Sequence, residues 1–127
     1  MIKTAAGIIL NQNKILLVKR VENTLLYPGH WACPGGKAES NESPEDNAVR
    51  EIKEETNLDF VPTELLLISY FHDRKMYRFS GNWSGNIKLQ EKEITDYGWF
   101  TFHNAMKLIF AFDYLDILKE LQKKSLI

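Results

Sequence analysis

The chain has 127 residues, 16 Lys and Arg against 17 Asp and Glu, a formal charge of -1 and 44% hydrophobic residues, the profile of one globular domain that can bury a core without staples. Its single cysteine, Cys33, excludes a disulfide framework, and no apolar run approaches the ~20 residues needed to span a bilayer. Near-neutral charge argues against a protein dedicated to coating nucleic acid. At the N-terminus a short apolar stretch is followed by polar Asn11-Gln12-Asn13, where a signal peptide would need small residues. That segment is therefore expected to be a strand in a cytoplasmic protein.

Ala5 to Leu10 and Lys14 to Arg20 are β-rich and separated by Asn11-Gln12-Asn13, which predicts a hairpin with positive φ at Asn13 or a neighbour. A loop follows from Val21 to His30, and Trp31-Ala32-Cys33 is a short apolar run ended by Pro34-Gly35-Gly36. Ser43 reads as an N-cap, with Pro44 at the first helical position and Asp46 at the third, so a helix is predicted from Pro44 to about Thr56. Phe60 to Phe71 is apolar and mixed in period. Its second half favours a strand through Ile68, Tyr70 and Phe71, with helix the alternative for Glu64 to Ile68. Lys75 to Trp83 alternates like a strand, Ser84 to Asp96 reads as strand followed by charged loop, and Tyr97 to Phe102 is an aromatic strand. Leu115, Leu118 and Leu121 mark an amphipathic helix over Phe112 to Lys124. The mixture of strands and helices, without repeats or linkers, predicts an α+β fold.

Charge is segregated along the chain. Residues 39 to 55 hold seven acids against two bases, whereas Met1 to Arg20 holds four bases and no acid. On the predicted helix, Glu51, Glu54 and Glu55 stand at i, i+3 and i+4 and share one face. Like charges at those spacings destabilise a helix by about 0.2–0.5 kcal/mol per pair, softened here by Arg50 at i, i+4 to Glu54. A bound hard cation reverses that sign, and carboxylate oxygens are the ligands Mg²⁺ and Mn²⁺ prefer.

From Gly36 there are five residues to Glu42, seven more to Arg50, and then Glu51-Ile52-Lys53-Glu54-Glu55-Thr56-Asn57-Leu58. This spacing resembles the box of the Nudix (MutT-like) hydrolases, matching eight of its nine specified positions over 23 residues. Asn57 stands where the family has Gly, at a helix-capping position in the left-handed region where Asn is the usual second choice. Trp31 to Glu39 resembles the family's strand and loop leading into the helix, and Gly98-Trp99-Phe100 its late aromatic strand. The resemblance implies a single Nudix domain over 1–127 with its box at 36–58, folded as an α/β/α sandwich with a mixed sheet between helices.

It also implies roles. Glu51, Glu54 and Glu55 hold Mg²⁺ or Mn²⁺, with the Gly36 carbonyl a further ligand and one more acid from the loop before the late strand. Glu91, Glu93 and Asp96 are the candidates there, and Glu93 is favoured. Glu51 or Glu54 acts as general base, Arg50 orients a glutamate through a charge-assisted pair, and Glu42 ties loop to helix. Lys19, Arg20 and Lys37 are candidates for the substrate phosphates. Tyr27, Phe71, Tyr77, Phe79 and Trp83 are either core or a stacking surface for a base, with Phe79 kept as the substrate-binding candidate. Asp113 either hydrogen-bonds a base edge or caps the last helix. His30, His72 and His103 lack metal-ligand spacing, and Cys33 reads as a small buried residue. The implied activity is metal-dependent hydrolysis of a nucleoside diphosphate-linked substrate, a nucleoside triphosphate first. Dinucleoside polyphosphate or ADP-ribose hydrolysis, or a non-catalytic nucleotide sensor, are the alternatives. The expected partner is a small nucleotide, with no membrane and no dedicated nucleic-acid surface, and the chain is expected as a monomer or homodimer.

Overall fold

The computed structural model describes residues 1–90 and 92–127. The chain runs β1 (Ile2–Ile8), β2 (Leu10–Asn11), β3 (Lys14–Arg20), β4 (Trp31–Ala32), β5 (Gly35–Lys37), α1 (Pro44–Thr56), β6 (Asp59–Phe71), β7 (Arg74–Ser84), β8 (Ile94–Phe100), α2 (Phe102–Ala105) and α3 (Tyr114–Lys123). One sheet has the order β5-β1-β7-β6, with β1 and β7 parallel and its other pairs antiparallel; the second is β2-β3-β4 with β8 also on β3. The fold is thus α+β with mixed pairing, as expected.

Alternation along β1 and β3 feeds two cores. Ala6, Ile8, Ile15 and Leu17 pack with Tyr114, Ile117, Leu118 and Leu121 around α3. Ala5, Ile9 and Leu16 pack with Ala48 and Ile52 of α1 and with Leu58, Phe60 and Phe79. The strands between the helices are therefore buried on both faces. No helix among the described residues is long and apolar enough to cross a membrane.

The expected hairpin is smaller than its sequence suggests. Gln12 and Asn13 take φ values of 50 and 63, the pattern of a tight hairpin turn, but only Leu10 and Asn11 pair with β3. The chain leaves the first sheet at Ile9, because β1 takes β5 and β7 as its neighbours. β6 is strand throughout and residues 64 to 68 are not helical. Its mixed period comes from register shifts between Pro62 and Glu64 and between Leu65 and Leu67, since an extra residue turns the alternation over. Among the described residues no strand follows Ser84 until Ile94, and the late strand stops at Phe100. Thr101 then caps the unexpected short α2, its Oγ1 accepting from the Asn104 N–H at 3.2 Å.

α1 has the predicted bounds and caps. Ser43 Oγ accepts from the Asp46 N–H at 3.1 Å, and Asn57, at φ 68, donates its N–H to the Lys53 carbonyl at 3.0 Å. Asn57 Nδ2 also donates to the Asn86 carbonyl at 3.2 Å.

Candidate active site

The acidic face of α1 is assembled by the strand that precedes it. A Cβ at Gly36 would lie 2.6 Å from the Glu51 carboxyl carbon, and one at Gly35 would strike the Ala5 carbonyl of β1. Only glycines let this backbone pass between β1 and the helix. The Gly36 carbonyl accepts from Asn47 Nδ2 at 3.2 Å, and Asn47 is itself buried.

Arg50 ties the loop to the helix, as expected. Its guanidinium grips Glu42 with two bonds of 2.8 and 2.9 Å and donates to the Lys37 carbonyl at 2.9 Å, to Glu51 Oε1 at 3.0 Å and to Glu54 Oε2 at 3.2 Å. The Arg50 hydrogen bonds hold the Glu42 carboxyl below the usual carboxylate range.

Glu51, Glu55 and Glu93 converge, each offering a carboxylate oxygen within 4.8 Å of the others. Glu93 reaches them because its loop docks on the end of α1: the Lys88 N–H donates to the Thr56 carbonyl and the Gln90 N–H to the Glu55 carbonyl, both at 2.9 Å, satisfying groups the helix leaves unpaired. Burial pushes the Glu55 carboxyl well up, and the charges of Glu51 and Glu93 push it the same way against smaller opposing effects of Gly35 and Arg20. Burial also raises Glu51 in spite of Arg50. Three hard oxygen donors that repel one another in a partly dry setting fit Mg²⁺ or Mn²⁺.

The other sequence candidates divide. Glu54 lies outside this trio, with its side chain 55% exposed and held by Arg50. Asp96 is exposed and accepts from the Tyr97 N–H at 2.8 Å, while Glu91 lies outside the described residues. Arg20 and Lys37 line the same cleft of about 590 Å³ as Glu51, Glu55 and Glu93. Arg20 is steadied by the Leu26 carbonyl at 3.0 Å.

Two substrate-binding expectations are corrected. Phe79 is 5% exposed and packs in the core beneath α1 with Ile52 and Phe60, so it has no face for a base. Asp113 neither caps α3 with its side chain nor lines the cleft, because Arg78 Nη2 holds its Oδ1 at 2.7 Å. Arg78 is 1% exposed and also donates to the Tyr114 hydroxyl at 3.1 Å and to Ser69 Oγ at 3.1 Å. Cys33 lines the cleft, and burial pushes its thiol up to about 12, which leaves it inert as a nucleophile. Sequence reasoning missed Asn47, Arg74, Met76, Phe112 and Tyr114. The last four border the cleft only through folding, but Asn47, a polar residue on the apolar side of the α1 wheel, was a readable signal.

The NUDIX domain family model matches residues 1–121. The chain belongs to that family. It is 54% identical over 52 residues to the ADP-ribose pyrophosphatase of Methanocaldococcus jannaschii, covering 41% of this chain and 30% of that protein. It is 38% identical over 62 residues to the 8-oxo-dGTP diphosphatase of Proteus vulgaris, covering 49% of this chain and 55% of that one. The chain thus spans between about a third and about half of the length of these curated relatives. The MutT protein of Methanosarcina mazei Go1 superposes with a TM-score of 0.79 over 98% of this chain and 94% of its own, at 24% identity, which shows the shared fold.

Proposed function

We propose that the protein is a divalent-metal-dependent hydrolase of nucleoside diphosphate-linked substrates, nucleoside triphosphates among them. The observation that carries this reading is the convergence of Glu51, Glu55 and Glu93 within 4.8 Å at one wall of a cleft that also presents Arg20 and Lys37. Those three carboxylates, with the Gly36 carbonyl as a further oxygen donor, are the residues to hold Mg²⁺ or Mn²⁺. When bound, such an ion neutralises phosphate charge and lowers the pKa of water.

The chain's own groups do the rest. Arg20 and Lys37 place the phosphates, and Arg50 fixes the Glu51 carboxylate so that the acidic wall is already ordered when substrate arrives. In the reaction a water oxygen bonds to phosphorus, the anhydride P–O bond breaks, and its electron pair leaves on the departing phosphate. The proton of that water goes to a carboxylate. Glu51 suits this better than Glu54, since it lines the cleft and Glu54 does not.

The reading is tested by pyrophosphate and phosphate release from nucleoside di- and triphosphates, oxidised nucleotides, dinucleoside polyphosphates and ADP-ribose, with Mg²⁺ or Mn²⁺ and with chelator. Chelator-sensitive hydrolysis of one group is expected. Nucleotide binding without turnover under every condition overturns the enzyme in favour of a sensor.

A further inference from the structure

The second half of β6 is an unguarded sheet edge. β6 is the longest strand of the fold, with 13 residues, and it ends the first sheet, with β7 as its one strand neighbour among the described residues. An open edge is a template for another strand unless it is short, bulged or charged. The other edge strands meet that description: β2, β4 and β5 have two or three residues each, and β8 carries Asp96 and Gly98. The first half of β6 meets it too, through Pro62 and the two register shifts. From Leu67 to Phe71, however, pairing with β7 is regular, and the run Leu65 to Phe71 contains no charge, Pro or Gly.

The backbone of that run has a definite polarity. His72 and Asp73 form the two-residue turn into β7, flanked by the pair Phe71 and Arg74. Antiparallel alternation then turns the N–H and C=O of Phe71, Ser69 and Leu67 inward to β7 and those of Ile68 and Tyr70 outward. Among the described residues these outward groups bond to no other element. The same two residues present exposed apolar side chains, Ile68 at 41% and Tyr70 at 63%, with Leu65 at 43% on the same strand.

A second copy of the chain fits this edge. With a two-fold axis at Ser69, Ile68 stands opposite the partner's Tyr70 and Tyr70 opposite the partner's Ile68. Both are the residues whose backbone groups point outward, so each pair exchanges two N–H to C=O bonds. Each is also an aromatic side chain against a β-branched one, a favourable cross-strand combination. Self-pairing of an uncharged run brings no like charges together, and the run offers no charge by which to select a foreign strand. The exposed side chains and strand edges of two copies bury on the order of 1,000 Å², the low end for a specific interface.

We infer that the chain forms a reversible homodimer by antiparallel pairing of its β6 edges over Leu67 to Phe71, which joins two four-stranded sheets into one. β5, which brings Gly36 to Glu51, is the opposite edge of the sheet, so each copy keeps its acidic cleft open. The dimer is therefore independent of the hydrolase reading.

The test is sedimentation equilibrium of the unaltered chain, Ile68→Lys, Tyr70→Lys and Val61→Lys from about 5 to about 500 µM, a range that brackets a weak interface. The unaltered chain is expected to pass from monomer to dimer with a Kd on the order of 10–100 µM. Ile68→Lys and Tyr70→Lys each change both symmetric pairs and charge the edge, so each is expected to weaken the dimer by about tenfold or more at an unchanged melting temperature. Val61, 60% exposed on β6 but outside the paired run, is the control, and Val61→Lys is expected to leave association unchanged. Amide exchange needs no variant: protection of the Ile68 and Tyr70 N–H groups should rise with protein concentration. A chain that stays monomeric with both amides unprotected at about 500 µM overturns the dimer and leaves the edge to a strand of another protein. A dimer that survives both Lys variants at positions 68 and 70, or that Val61→Lys weakens equally, overturns this interface.

Discussion

Asn47 Nδ2 donates to the Gly36 carbonyl at 3.2 Å, linking a buried side chain of α1 to the strand that faces the acidic trio. The amide fixes the direction of a carbonyl that keeps a second lone pair for a cation. Groups of this kind, one step removed from a metal, typically change its affinity or the activity by about 10–100-fold when lost. Asn47→Ala is therefore expected to weaken Mn²⁺ binding about tenfold while costing about 0.5–1.5 kcal/mol in the metal-free fold. Mn²⁺ titration followed by electron paramagnetic resonance, together with urea unfolding, separates the two effects. Unchanged Mn²⁺ affinity would show that the bond only packs the loop.

The buried carboxyl of Glu55 gives the metal-free protein a pH dependence of definite sign. Its folded pKa is raised well above the ordinary value of 4.5, chiefly by burial. The folded state thus holds a proton that the unfolded state has released. Stability from this group is complete below the unfolded value and is lost as pH rises through the raised folded one. Thermal unfolding in chelator should show the melting temperature falling over that interval. Glu55→Gln removes the buried charge, so it should flatten the fall, stabilise the metal-free protein at pH 7 by on the order of 1–3 kcal/mol, and abolish stabilisation by added Mg²⁺. A Gln variant that still gains stability from Mg²⁺ would remove Glu55 from the site.

Asn57 occupies the one box position where the sequence departs from the family pattern. Gly relieves the left-handed backbone at φ 68 but deletes the Nδ2 bond to the Asn86 carbonyl at 3.2 Å. The two effects oppose each other, so Asn57→Gly is expected to shift stability by less than about 1 kcal/mol. Its nucleotide hydrolysis rate should stay within twofold, read by phosphate release beside a denaturation curve. A large loss of rate would mean that the cap also sets the aim of Glu54 and Glu55.

What the sequence made legible follows the range of the forces involved. α1, its caps and the Arg50–Glu42 tie depend on neighbours a few turns apart, and their spacing is written in the box. Glu93 could be favoured because its loop precedes the late strand. Phe79 and Asp113 were misplaced because both have polar or aromatic chemistry that suits a ligand, and only tertiary packing decides otherwise: Phe79 faces Ile52, and Asp113 meets Arg78 from a strand 35 residues away. Pro62 marks the first β6 bulge, since a proline within a sheet is confined to edges and bulges, but the second bulge and the left-handed Phe112 have no local signature, since neither carries the Gly that usually announces such backbone.

Arg78 and Asp113 make an ion pair whose arginine is 1% exposed, joining β7 to the start of α3 beside Tyr114 and Phe112 of the cleft. Removing one partner leaves a desolvated charge alone, which typically costs about 3–5 kcal/mol, whereas replacing both with apolar groups of similar size is often neutral. Asp113→Ala should therefore lower stability by about that amount, reduced somewhat because the Asp113 side chain keeps 18% of its exposure. The double variant Arg78→Met with Asp113→Leu should recover most of the loss in urea unfolding. If the pair served stability alone, the double variant would also recover the nucleotide KM. If it positions Phe112 and Tyr114, KM should stay raised while stability returns, and that split is the expected result.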